Sequence, residues 1–183
     1  MNANLGSLKK SGFRKNQKRA AAPDRETIRL EKPGEVCRKC DQHYLRFVGR
    51  PAAVVSCEGA GLRGEVARRA AVLLCDRTFP QEAVRVCLGA SFSYEGGPRK
   101  LLRYAPRTFV IDGCSIQCAT RMLQAAVKGV QTDSLVADRQ YKFDRELVGV
   151  SEMSSREMDR HAGTVARKTA ARIRKFLKKL RSY

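Results

Sequence analysis

The chain has no tryptophan, no long apolar run and only 18 acidic residues against 37 Lys and Arg. The missing tryptophan excludes no fold class, because 43% hydrophobic residues in a chain of 183 suffice for one domain with a real core plus appendages. No stretch approaches the roughly 18 apolar residues of a membrane-spanning helix, and no apolar leader of the secretory kind follows the first residues. A soluble, cytoplasmic protein is the expectation. With no export signal, seven cysteines, an odd number, favour metal binding or thiol chemistry over a disulfide framework.

The shortage of acids leaves a formal charge of +19, unevenly placed. Residues 1–32 hold nine Lys and Arg against three acids, and residues 156–183 hold ten against two. The composition divides the chain into a basic, disordered arm over 1–32, a cysteine-rich core over 33–150 and a basic amphipathic helix over 151–183. Basic ends of this kind attract nucleic acid or other polyanions. No groove-reading motif accompanies the charge, so solubility is the plainer account of it.

The most informative segment is Thr108-Phe109-Val110-Ile111-Asp112-Gly113-Cys114-Ser115-Ile116-Gln117-Cys118. Its β-branched and aromatic start reads as a buried strand over 108–111 that stops at Asp112-Gly113. The chain then reads as helical from Cys114 through Ala126. Cys114 and Cys118 would share the first turn of that helix, four residues apart on one face. Free amides and the positive end of the helix dipole lower a thiol pKa there.

The same alternation of strand and helix begins at Pro51. Strands are expected at 52–56, 83–86 and 134–137, a helix at 65–74, and a short helix around 100–104. Such alternation implies an α/β fold of three layers, with a mostly parallel sheet of about four strands between flanking helices. Cys57, Cys87 and Cys114 all fall at carboxyl ends of these strands, the edge where α/β sheets place ligands. With Cys118 one turn further, they make a four-sulfur cage. Cys75, at the end of an apolar helix, is better assigned to the core.

Three motifs carry a resemblance. They are Cys57-Glu58-Gly59-Ala60-Gly61-Leu62-Arg63-Gly64-Glu65-Val66-Ala67, then Cys87-Leu88-Gly89-Ala90, then Val110-Ile111-Asp112-Gly113-Cys114-Ser115-Ile116-Gln117-Cys118-Ala119. In this order and spacing the region from Val54 to Ala137 resembles the zinc-associated family named for its Asp-Gly-Cys motif, the DGC domain. The resemblance implies zinc held by Cys57, Cys87, Cys114 and Cys118, and a three-layer α/β fold. It implies no established reaction. The basic arm, the Cys37–Cys40 pair and the basic helix depart from the family pattern.

Chemistry leaves several readings open. Four thiolates close a tetrahedral zinc site, which suits structure, sensing or carriage better than hydrolysis. An iron–sulfur cluster makes the same demand for sulfur. Asp112 would be a turn residue or support the ligands from behind, and Gly113 would let the chain approach the metal. Gly59-x-Gly61-x-x-Gly64 matches a dinucleotide fingerprint, yet no carboxylate stands beside the end of the second strand to hold a ribose. Cys57-x5-Arg63 is the arrangement of thiol phosphatases and arsenate reductases, in which a thiolate attacks an oxyanion held by amides and Arg. Gly64 replaces the usual hydroxyl residue there, and no Asp-Pro general-acid loop follows. Cys37-x-x-Cys40 with His43 reads as part of a second metal site, with His161 as a conceivable fourth ligand, or as a redox pair. Finally, Ser154 caps the last helix, and Val165, Ile173, Phe176, Leu177 and Leu180 form its apolar stripe.

Overall fold

A computed structural model describes residues 27–182. The expected disordered arm therefore lies outside the described residues as far as residue 26. Residues 27–31, the described part of a separate N-terminal unit, are exposed and without regular structure.

From Lys32 the chain forms one unit. Its elements are α1 (Arg38–Phe47), β1 (Ala52–Ser56), α2 (Leu62–Leu73), β2 (Ala83–Arg85), α3 (Leu88–Ser93) and α4 (Gly97–Tyr104). Then follow β3 (Arg107–Asp112), α5 (Cys118–Ala126), β4 (Thr132–Val136) and α6 (Ser155–Leu180). A π-helical turn, Leu74–Thr78, extends α2. The strands make one all-parallel sheet in the order β2-β1-β3-β4, and the fold is a three-layer α/β sandwich.

Alternate strand residues feed opposite layers, as the pleat requires. Ala52, Val54, Phe109 and Ile111 meet α2 and α6, whereas Ala53, Val55 and Val110 meet α4 and α5. Tyr44 and Phe47 of α1 pack on that second layer. The excursion to β2 covers one face through α2, and the connections returning to β3 and β4 cover the other. Crossovers of one hand running in opposite directions across a sheet produce this split.

The layer of α2 and α6 is dense because alanines let the two helices close on each other. Ala67, Ala70 and Ala71 of α2 share a buried cluster with Ala162, Ala166 and Ala170 of α6. Val165, Ile173 and Leu177 are buried as the stripe requires, and Phe176 meets Phe109 edge-on with ring centroids 5.8 Å apart. Leu180 stays 42% exposed. The Ser154 hydroxyl accepts a hydrogen bond from the Glu157 amide at 3.2 Å, the expected cap. None of the described helices is long and apolar enough to cross a membrane.

Candidate metal centre

The sheet order reverses between β1 and β3. A doubly wound sheet opens a ligand crevice outside the carboxyl ends of the strands at that point. Cys57 follows β1 directly, and its amide donates to Ile111 O at 2.8 Å, extending the ladder to β3 by one residue. Cys114 stands two residues beyond β3. Cys87 stands two residues beyond β2, on the other side of β1, where it caps α3 and its Sγ accepts from the Ala90 amide at 3.5 Å. Cys118 opens α5. All four cysteines thus follow carboxyl ends of parallel strands or the loop leaving one. Cys57 and Cys114 are half-buried, and Cys87 and Cys118 are exposed. Among the described residues, no three His, Cys, Asp or Glu side chains are drawn together as a ready metal-ligand set.

One expectation about this edge is corrected. Cys114 does not begin the helix. Residues 113–117 loop out, Gln117 adopts a left-handed conformation with φ 55° and ψ 45°, and α5 starts only at Cys118. The cause is Asp112, the last residue of β3 and fully buried. Its Oδ1 accepts from the Ala119 and Thr120 amides at 3.0 and 3.3 Å, and its Oδ2 accepts from the Thr120 hydroxyl. A strand-end carboxylate therefore satisfies the amides that an N-cap side chain would take. The five residues between must bulge outward to let it reach them. Cys114 rides on this bulge, and only Cys118 lies in the first helical turn.

Gly113 also has a role in the packing of this edge. A Cβ placed on it would sit 2.9 Å from Gly64 N and 3.0 Å from Arg63 C. A Cβ on Gly64 would lie 2.8 Å from the Gly59 backbone. The glycines let the turn after β3, the first turn of α2 and the Cys57 loop stack backbone on backbone.

The rival arrangement, Cys57 with Arg63, has its parts otherwise engaged. The Arg63 guanidinium lies 3.7 Å from the buried Asp138 carboxylate, donates to Arg145 O at 3.4 Å and covers the Phe143 ring. The Leu62 amide, one of those an oxyanion would use, donates to Val148 O at 2.9 Å.

The remaining candidates separate. Cys75 is buried in the α2 and α6 layer, where burial pushes its thiol up to about 12. His161 is not a surface residue. It is 5% exposed, stacked on Tyr141 with centroids 4.3 Å apart, and burial holds its pKa below the ordinary value. It belongs to α6, whereas α1 packs on the opposite layer. The sheet stands between His161 and the Cys37–Cys40 pair, so it cannot complete a site with them. His43 turns to the sheet, its Nε2 bonding Arg85 O at 3.1 Å.

Sequence reasoning missed α1 itself and Tyr94, whose buried hydroxyl neighbours Cys40 without a hydrogen bond of its own. It also missed the groove of about 280 Å³ between α2 and α6, where Arg77, Arg167 and Arg174 converge. The α6 arginines were visible as a charge cluster, but their meeting with Arg77 needed the packing.

A protein-family model described as DGC domain matches residues 53–165. No curated protein and no solved structure matches the chain.

Proposed function

The chain belongs to the DGC domain family, a family associated with metal binding, and from that premise we propose that it holds zinc through Cys57, Cys87, Cys114 and Cys118. The observation that carries this reading is their common place at the carboxyl edge of a parallel sheet, two of them flanking the point where strand order reverses. A set of four sulfurs suits zinc, and a closed site suits sensing, carriage or scaffolding in metal- or thiol-linked chemistry. The sulfurs stand on loops rather than inside elements. Binding draws these loops inward onto the ion, so folding of the edge and metal affinity are linked.

Metal analysis of anaerobically purified protein, with an absorption spectrum, tests the reading. About one zinc per chain and a featureless visible spectrum are expected, with Cys57→Ser and Cys114→Ser each losing most of it. Less than about half an equivalent of any metal overturns the site. Visible absorption with iron replaces zinc by a cluster.

A second reading, compatible with the first, rests on the groove of Arg77, Arg167 and Arg174 and on the exposed Lys175, Lys178 and Lys179 of α6. This face suits a polyanion such as nucleic acid. Retention on a nucleic-acid column should fall steeply with salt, and should fall again in Arg167→Ala/Arg174→Ala. Unchanged retention in that variant removes the reading.

A further inference from the structure

Cys37 and Cys40 lie outside the family-matched region, on a helix that the metal site does not need. Cys37 is the N-cap of α1, a helix of 10 residues whose first turn has no side-chain cap. Cys40 follows within that first turn, so the two sulfurs lie on one side of the helix. Cys37 is exposed and Cys40 is half-buried. The turn that carries them is clamped by α4. The Gly97 amide donates to Asp41 Oδ1 at 2.8 Å, and a Cβ on Gly97 would collide with the Cys40 carbonyl oxygen. His43, the nearest imidazole in the chain, is bonded to the β2 backbone. Among the described residues no third His, Cys, Asp or Glu side chain joins the two thiols into the ligand set a zinc site requires.

They are also unequal. The amides of Cys40 and Lys39, with the Cys40 thiol, hold Cys37 below the ordinary thiol value. Burial pushes Cys40 up, against the Tyr94 hydroxyl beside it. An exposed sulfur whose ionisation is eased thus sits one turn from a half-buried sulfur whose ionisation is opposed, the division of labour between an attacking and a resolving thiol.

We propose that Cys37 and Cys40 form a thiol–disulfide exchange site, with Cys37 attacking and Cys40 resolving, whose substrate class is an accessible disulfide. The Cys37 thiolate attacks one sulfur of R–S–S–R′, forming a Cys37–S–S–R bond and releasing R′–S⁻. Cys40 then gives up its proton and attacks Cys37 Sγ, which forms the Cys37–Cys40 disulfide and releases R–S⁻. Two electrons pass from the protein dithiol to the substrate disulfide. The protons of both protein thiols end on the two leaving thiolates, directly or through water. The reaction is separate from the four-cysteine reading and stands whether or not that site holds metal.

The test uses the reduced full-length chain, without oxygen, with oxidised glutathione as the disulfide, followed by rapid alkylation and mass spectrometry. Wild type is expected to accumulate the Cys37–Cys40 disulfide. Cys40→Ser should stall with glutathione on Cys37, and Cys37→Ser should react at least about tenfold more slowly. Metal content, measured in parallel, should be unchanged in both variants. Wild-type oxidation rates in Cys37→Ser, or glutathione reaching Cys87 or Cys118 as fast as Cys37, would overturn the proposal. So would loss of metal in Cys37→Ser with no disulfide in wild type, which makes the pair metal ligands.

Discussion

The two loops at the point of strand reversal solve one problem by different means. Each must end a buried strand, present a cysteine and start a helix. After β3 the work falls to one side chain, the buried Asp112 carboxylate, which reaches over the bulge to α5. After β1 no side chain caps α2. There the backbone itself is stacked through Gly59, Gly64 and Gly113, and α2 is held from outside. Glu65 binds Arg68 and Arg69, and Arg69 reaches on to Asp159 of α6. One loop depends on a single buried charge and the other on shape and a half-exposed ion cluster. The first should therefore fail abruptly and the second by degrees.

Asp112→Ala should break the comparison most sharply. It strands two amides and a hydroxyl in a dry site, and the expected loss is about 3 kcal/mol, read as a lower urea midpoint. Metal content should fall with it, because Cys114 and Cys118 lose their fixed turn. A variant within experimental error of wild type in both measurements would mean that the carboxylate does not hold the turn.

The smaller effect lies on the β1 side. Hydrogen bonds from Arg68, and after them from Arg69, hold the Glu65 carboxyl down at about 2, although burial opposes them. Its unfolded value is near 4.5. The stability it contributes is therefore complete above about pH 4.5 and is lost as the pH falls toward 2. Partial exposure of Arg68 screens the cluster, so about 1–2 kcal/mol is expected. Urea midpoints of wild type and Glu65→Gln should differ at pH 6, draw together below about pH 4.5 and converge only as the pH falls through about 2. A gap that persists in acid would assign the effect to something other than ionisation.

Much of this edge was legible in the residues. The apolar runs gave all four strands to within a residue or two, because a buried parallel strand is a short β-branched block with clear ends. The strand order was not legible. Nothing local to Ala52–Ser56 says that its neighbours are β2 and β3, and the special position of Cys57 and Cys114 follows from that order alone. The start of α5 was misplaced because the sequence pattern cannot distinguish a cap at the helix start from an acid that caps it across a bulge. Ser154, whose cap is local, was placed correctly for the same reason. Helix α1 escaped because none of its residues is fully buried and its packing rests on only a few side chains, among them Tyr44 and Phe47. The burial of His161 was not legible, because it comes with the stacking of Tyr141, distant in sequence and invisible to helical periodicity.

The edge-on meeting of Phe109 with Phe176 has a consequence for how the protein is made. Sheet and thiols are encoded before residue 137, whereas α6, which completes the cover that α2 begins over one face of the sheet, is encoded only in 155–180. A growing chain on the ribosome therefore leaves Phe109 and the α2 alanines only partly covered, with all seven cysteines already made, before α6 emerges to shield them. Through that interval the incomplete apolar layer favours aggregation, and any metal or oxidant that reaches the chain finds thiols not yet held in their native places.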